Sequence, residues 1–411
     1  MSQQKSVSIF SIAVIVAALG YFVDIYDLLL FGIIRIPSLR SFGLSEDKVL
    51  TEGEAILQWQ MWGLLIGGII AGVTGDIKGR LSVLFGSIIL YSLANIANGF
   101  VETVQQYKYI RFVAGIGLAG ELGAGITLVS EIISKEKRGI ATSMVAGIGL
   151  TGAVVAFIMK ENFHWRTCYF IGGGLGLILL ILRISVFESG MFREIKKTGI
   201  QRGNFFMLFT NGNRLKRYLT GILIGLPTWF VIGVLVSFSS EFGKKFGITE
   251  KIDPGKSIMY AYAAISVGDI LIGFISQWLK SRKKALFIFY GITILFMVLF
   301  FTIQWGGSAA KMYWICAGLG FGTGFWAIFV TMAAEQFGTN MRATAATTIP
   351  NMVRGMLAVL ILPLFKYLRD IDGVGYVNGG IYAAIIIMAI TVFAALLTKE
   401  TFNKDLNFIE K

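Results

Sequence analysis

The sequence predicts an all-α membrane protein whose twelve transmembrane helices form two pseudo-symmetric six-helix bundles, and three observations predict it. Of 411 residues, 55% are hydrophobic and only 15% charged, with Phe alone contributing 33; such a composition belongs in lipid. Crossing about 30 Å of hydrocarbon as a helix takes roughly 20 residues, and twelve apolar runs reach that length. Basic residues gather in alternate loops, the bias that orients spans in a membrane.

The first run, at about 8–34, is too long for the apolar part of a signal peptide and no small-residue cleavage site follows it, so it should stay as a span. The next five lie at about 54–74, 80–101, 107–132, 139–159 and 165–187. A polar stretch from Glu188 to Lys216 then interrupts the pattern. Its segments "FREIKK" and "FFMLFTNGNRLKR" read as short basic amphipathic pieces lying on the membrane surface. The second set follows at about 216–240, 256–279, 284–303, 309–335, 343–368 and 375–398. The expected organisation is therefore a bundle over 1–187, a connecting loop over 188–215 and a second bundle over 216–411.

In a water-soluble chain the net charge of +13 would suggest nucleic acid; here topology accounts for it. Lys78 and Arg80, Lys135, Lys137 and Arg138, the cluster from Arg193 to Arg217, and Lys280, Arg282, Lys283 and Lys284 all follow even-numbered spans. These loops and both termini share one face, and the positive-inside bias makes it the cytoplasmic face of a bacterial-type inner membrane. Cys168 and Cys316 show neither disulfide nor metal-ligand spacing and read as inert packing residues.

The two halves look like copies. Glu131 precedes Arg138 by seven residues in "SEIISKEKRGIATS", and Glu335 precedes Arg342 by seven in "AEQFGTNMRATAAT"; 335 − 131 and 342 − 138 both give 204. "GVTGDIKGRLSVLFG" from Gly72 is echoed by "GFISQWLKSRKKALF" from Gly273, with Gln277 in place of the first copy's Asp76. Parallel six-span repeats suggest a transporter that works by alternating access.

These residues carry a family resemblance. "GDIKGR", preceded by Gly68 and Gly72, resembles the loop signature of the major facilitator superfamily. Within it, "GYFVDIYDLLLFG" is similar to the first span of metabolite:proton symporters, with Asp24 where Glu is usual and Tyr26 and Asp27 kept. The fourth span, "RFVAGIGLAGELGAGITLVSE", resembles the same group through Arg111, Gly115, Gly120 and Glu121, and departs from it at Ala119. The resemblance covers nearly the whole chain and implies the major facilitator fold. Sugar porters share several of these positions, but the fifth and seventh spans hold no Gln or Asn, which disfavours sugar.

Two aspartates inside an apolar run pose the central question, because a lone buried anion is costly. Helix rise puts Asp27 about 10 Å, and Arg111 about 6 Å, from the outer ends of their spans, so the two can meet. Arginine favours the ionised aspartate and withdrawal from water favours the protonated one, which makes Asp27 with Arg111 a candidate proton-coupling site; a static structural pair is the alternative. Asp24, one turn away on the same helix face, and Glu121 are expected to line a central cavity and to receive a relayed proton or a substrate's cationic group. Glu121 acting only as a helix-to-helix hydrogen-bonding group is the competing reading.

Arg354, near the middle of "TTIPNMVRGMLAVLILP", has no acid in its own span. A substrate carboxylate would answer it, helped by Asn351 and by backbone freed around Pro350; the alternative is an ion pair with Asp269 of the eighth span. Trp326 is a further cavity candidate, against ordinary packing. Asp76, Arg80, Glu131, Arg138, Glu335 and Arg342, acids and bases at helix ends, are assigned to gating. His164 sits in an outer loop and is given no proton role.

Enzyme chemistry has no support in the sequence: there is no nucleophile with a base, no metal-ligand cluster and no phosphate loop, and the glycine-rich spans read as close helix packing. No cofactor is expected. The expected function is secondary active transport of a small polar metabolite, a carboxylate or zwitterion favoured, coupled to protons and carried out by a monomer in the lipid bilayer. A facilitator or exporter of a sugar, organic cation or metal ion on the same fold is the alternative, and a non-transporting membrane sensor is the alternative from another class.

Overall fold

The computed structural model describes residues 11–134, 137–183 and 204–410. Twelve of its helices are long and apolar enough to cross a membrane: α1 Val14–Arg40, α2 Thr51–Ile77, α3 Leu81–Asn98, α4 Val104–Ile132, α5 Gly139–Asn162, α6 Trp165–Leu182, α7 Gly212–Val236, α8 Pro254–Trp278, α9 Arg282–Thr302, α10 Ala309–Gln336, α11 Arg342–Arg369 and α12 Gly375–Leu397. No strand occurs among the described residues. Large apolar side chains such as Ile181, Trp278 and Phe393 stay exposed on the outside of the bundle, which is where lipid takes the place of water and their exposure carries no penalty.

Two boundaries depart from the sequence reading. The first span ends six residues later than expected, because Arg35 is buried against Gly53 of α2 and the helix carries on through Pro37 to Arg40. The segment "FFMLFTNGNRLKR" is not a surface helix: only Phe205–Leu208 forms a single 3-10 turn, and Arg214, Lys216 and Arg217 already belong to α7. Asn211 explains that early start, since its side-chain oxygen accepts from the backbone N–H of Asn213 and Arg214 as a helix cap. "FREIKK" lies outside the described residues.

Packing brings α1–α6 against α7–α12 along two long seams, α2 with α11 and α5 with α8. Glycine allows close approach inside each set. A Cβ added to Gly115 of α4 would lie against the carbonyl of Gln60 on α2, and without lipid-excluding force between helices this tight contact is what holds spans together.

Several spans are not continuous. α4 breaks at Ala119–Gly120, α10 breaks at Thr323–Phe325, and α7 and α11 loosen into π-turns at Val231–Val236 and Leu357–Ile361. Backbone groups freed at membrane depth need partners, and two side chains supply them. Asn351 Nδ2 donates to the carbonyl of Ala119 at 2.7 Å, and Asp269 Oδ1 accepts from the backbone N–H of Ala327 at 2.9 Å. These breaks surround the place where the buried charges collect.

Candidate functional site

The α1 sequence carries Tyr21, Asp24 and Leu28 at helical spacing, which turns all three toward the interior; each is buried. Asp27, one turn from Asp24, meets Arg111 of α4. Arg111 Nη1 donates to Asp27 Oδ1 at 2.8 Å, Nη2 donates to the Asp27 carbonyl at 3.0 Å, and Nε donates to Gln60 Oε1 at 3.3 Å. Gln60 is itself held by the carbonyl of Leu28, and the Tyr169 ring lies 5.7 Å beneath the guanidinium. Arg111 and Asp27 are fully buried. Asp27 Oδ2 has no hydrogen-bond partner among the described residues, so attraction and hydrogen bonds offset the lost hydration of this buried pair only in part.

Asp24 is placed differently. It is fully buried, neither carboxylate oxygen has a hydrogen-bond partner among the described residues, and its cationic neighbour is Arg354 of α11, with Nη2 4.0 Å from Oδ2. That distance is an ion pair without a hydrogen bond. Arg354 therefore faces Asp24 and not Asp269, the partner considered from sequence. Asp269 instead occupies the N-terminus of the second half of α10, where exposed N–H groups favour an anion.

Arg354 also lines a cavity of about 280 Å³ with Tyr21, Ile25, Leu28, Leu150, Thr228, Trp229, Tyr262, Ile265 and Trp326. The space within it open to water is only about 10 Å³, about one molecule, so the cavity is closed down around Arg354 in this state and a ligand body requires it to widen. Three buried donors on its wall have no hydrogen-bond partner among the described residues: Arg354 Nε, Trp326 Nε1 and Thr228 Oγ1. The Trp326 ring is 5.9 Å from the guanidinium carbon. A larger apolar space of about 730 Å³ between α1, α2, α7 and α11 shares Leu28 and Trp229 with this cavity and lies on the side away from the basic loops.

Two of the proposed site residues take other work. Neither Asp24 nor Glu121, both expected to line the cavity, is on its wall; Glu121 pairs with Arg183 at the end of α6, whose Nη1 donates to Oε2 at 2.9 Å while Nη2 contacts Oε1. Asn351 accepts weakly from Arg354 Nη1 at 3.4 Å, but its amide nitrogen is occupied by the carbonyls of Ala119 and Thr347, so it holds the α4 break rather than a ligand. Cys168 and Cys316 are free and buried. His164 caps the start of α6, its Nδ1 accepting from the backbone N–H of Arg166.

The gating candidates gather where the basic loops lie. Asp76 accepts from the backbone N–H of Ala343 at 3.1 Å and of Thr344 at 2.7 Å, so it caps α11 from the other set of spans. Arg342 Nη1 donates to Glu131 at 3.0 Å across the same seam. Glu335 pairs with Arg282 at 3.2 Å. The side chains of Arg80 and Arg138 lie outside the described residues. The Asp76 and Arg342 contacts join the two sets of spans on this face, whereas the Glu335–Arg282 pair lies within α7–α12.

Sequence reasoning passed over Arg183, Arg282, Tyr21, Thr228 and Tyr262. A signal existed for the arginines, each a base at the end of an apolar run, but nothing in one sequence says which buried acid they reach. Tyr21 had the clearest signal, one turn from Asp24.

Comparison with known proteins agrees with this architecture. The family model described as Major Facilitator Superfamily matches residues 6–363. The niacin transporter NiaP of Acinetobacter baylyi is 25% identical over 96% of this chain and 95% of its own. The benzoate transport protein of the same organism is 23% identical, covering 80% and 78%, and the 3-(3-hydroxy-phenyl)propionate transporter of Escherichia coli is 26% identical, covering 80% and 81%. Among solved structures, a proton:xylose symporter superposes with a TM-score of 0.78 at 18% identity, over 97% of this chain and 98% of that one; at that identity the likeness concerns the fold.

Proposed function

Because the chain belongs to the Major Facilitator Superfamily and is a membrane transporter rather than an enzyme, we propose that it carries a small aromatic monocarboxylate across a bacterial-type inner membrane together with protons. The observation that carries this reading is Arg354 on the wall of a cavity otherwise lined by aromatic and apolar side chains and the hydroxyl of Thr228. A guanidinium presents a planar fork that matches a carboxylate. Tyr21, Trp229, Tyr262 and Trp326 offer ring faces and edges to an aromatic body. The cargoes named for the relatives, niacin, benzoate and 3-(3-hydroxy-phenyl)propionate, each join an aromatic ring to a carboxyl group, which supports the same class.

The proton is assigned to the acids of α1, with Asp27 and Arg111 forming the coupling pair nearest the outer vestibule and Asp24 lying deeper. Bundles over 1–187 and 216–411 rock about this site, and Asp76, Glu131, Glu335 and Arg342, with Arg80 and Arg138, open and shut its cytoplasmic side. Termini and basic loops are cytoplasmic, so the closed seam at Asp76 and Arg342 corresponds to an outward-facing carrier. We take the working unit to be a monomer, since each chain holds one complete cavity. A sugar cargo has less support, because no Asn or Gln lines the cavity to pair with a ring of hydroxyls.

The test is uptake into liposomes containing the purified protein, with an acid-outside gradient and protein-free liposomes as the background. Benzoate and nicotinate should accumulate above background and a protonophore should abolish the accumulation, while xylose and choline should not accumulate. Accumulation of xylose or choline without either carboxylate would overturn the substrate class. Carboxylate uptake unaffected by the protonophore would remove protons from the mechanism.

A further inference from the structure

We propose that Asp24 and the carboxylate of the substrate are alternative partners of Arg354, so that one proton must sit on Asp24 whenever substrate is bound; this rests on the carboxylate reading above. The buried charges around Asp24 can be counted. Arg354 faces it from α11, the Glu121–Arg183 pair from α4 and α6, and the Asp27–Arg111 pair from its own helix and α4. Both of those pairs are neutral and hydrogen-bonded within themselves. Asp24 and Arg354 alone meet without a hydrogen bond, with both carboxylate oxygens and Arg354 Nε free of partners among the described residues.

With the cavity empty, the anion Asp24 and the cation Arg354 cancel. Entry of a carboxylate adds a second anion for the same cation, and an uncompensated charge in a dry interior is what such sites avoid. A proton taken from the outer solution onto Asp24 restores neutrality; it leaves again on the other side once the substrate has gone. Atoms and charges balance at one proton per monocarboxylate. Transport is then electroneutral, and the sharing of Arg354 itself makes it coupled.

Benzoate is the probe. In wild-type protein its affinity should fall about tenfold per pH unit once Asp24 ionises, since one proton is linked to binding. Asp24→Asn should bind benzoate tightly without that pH dependence and retain counterflow, whereas Asp27→Asn should keep it. Loss of the pH dependence in Asp27→Asn with its survival in Asp24→Asn overturns the proposal. If Asp24→Asn does not fold, wild-type protein decides alone: benzoate uptake should be unchanged when a potassium diffusion potential is reversed, and a dependence on the potential overturns the one-to-one exchange. Absence of benzoate binding in folded wild type overturns the carboxylate reading and this proposal with it, whereas binding lost only in Arg354→Gln leaves that reading intact.

A different observation carries a second inference: the segment after α12 is a strap that holds the basic face closed. It reaches two gating residues, Glu335 and Arg342, and three neighbouring points on the same face, at Ser281–Arg282, Thr339 and Arg217. Glu400 accepts from the backbone N–H of Arg282 at 2.9 Å and from the Ser281 hydroxyl at 2.5 Å. Thr401 donates to Glu335 at 2.8 Å. The carbonyl of Leu406 accepts from Arg342 Nη2 at 2.5 Å, on the same guanidinium that holds Glu131. The Phe408 carbonyl accepts from Thr339 N–H at 2.9 Å, and Glu410 takes both guanidinium nitrogens of Arg217 at 2.9 and 3.0 Å. Half-burial opposes the charge of Glu400, yet the Ser281 hydroxyl and the backbone N–H groups outweigh it and hold this carboxyl below its usual range. Leu406 is completely buried. Arg342 thus bridges to the other set of spans through Nη1 while Nη2 is shared between the strap carbonyl and the Thr339 hydroxyl.

The readout is labelling of Thr347→Cys, a buried position where α11 meets Gly123 of α4, by an impermeant maleimide in inverted vesicles. Truncation after Thr401 should raise the labelling rate about two- to fivefold, the population change expected from losing contacts worth an exposed ion pair. Equal rates in full-length and truncated protein overturn the inference. If the truncated chain does not reach the membrane, Glu410→Ala, which removes the carboxylate from Arg217 and leaves the bond from Arg217 to the Gln336 carbonyl in place, is judged by the same rule.

Discussion

Arg111 grips Asp27 twice, at the carboxylate and at the backbone carbonyl of the same residue, at 2.8 and 3.0 Å. Arg111 thus holds both the charge and the chain of α1 at one residue, whereas Asp24 touches its arginine only at 4.0 Å.

Asp27→Asn is therefore expected to abolish uphill accumulation while counterflow stays measurable, because the variant cannot relay the one coupling proton between the outer solution and Asp24, whereas the carrier still reorients. Reconstituted vesicles loaded with unlabelled benzoate provide the measurement. Undiminished concentrative uptake would take Asp27 out of the proton path.

Arg354→Lys keeps the charge and loses the fork, so benzoate binding should weaken; Arg354→Gln should weaken it further. Truncating one partner of a desolvated charge pair costs about 2–5 kcal/mol, roughly 30-fold or more in affinity. Titration of intrinsic tryptophan fluorescence by benzoate would measure it. Wild-type affinity in a folded Arg354→Gln protein would make Arg354 a structural partner of Asp24 alone.

Asp76→Asn removes the charge of the α11 cap and one of its two accepting oxygens, and N-terminal caps and charges are worth about 0.5–2 kcal/mol. The carrier should shift toward the state open on the basic face, seen as faster labelling of Thr347→Cys from that side. An unchanged rate would mean that the cap at Ala343 and Thr344 does not differ between states.

Gly20→Ala should destabilise the protein by about 1–3 kcal/mol, the usual result of overpacking a tight core. The added Cβ would fall on Arg183 and Glu121, which must part to admit it. A thermal melt in detergent reports the loss; a melting temperature equal to wild type would show that the pair adjusts freely.

Orientation has its own test. Lys78→Cys, exposed on the basic face, should resist an impermeant maleimide added to intact cells, and Lys251→Cys, exposed between α7 and α8, should react. The reverse pattern would invert the proposed topology.

The sequence by itself determined the number of spans, the all-α class and the depth of each charge, because membrane thickness converts residue count into position along one axis. Depth was enough to bring Asp27 within reach of Arg111. It could not say who stands beside whom in the plane of the membrane. Arg354 meets Asp24 rather than Asp269, Glu121 meets Arg183, Glu335 meets Arg282, and the amide of Asn351 is taken up by the carbonyl freed where α4 breaks. Those pairings depend on the rotation of each helix about its axis and on the order of helices around the cavity. Both are set by close packing at glycines such as Gly20 and Gly115 and by breaks in the spans, which act between residues far apart in the chain. The same reason hid the strap: Glu400, Leu406 and Glu410 look like a polar tail in sequence, and only the folded gate supplies the arginines and backbone groups that hold them.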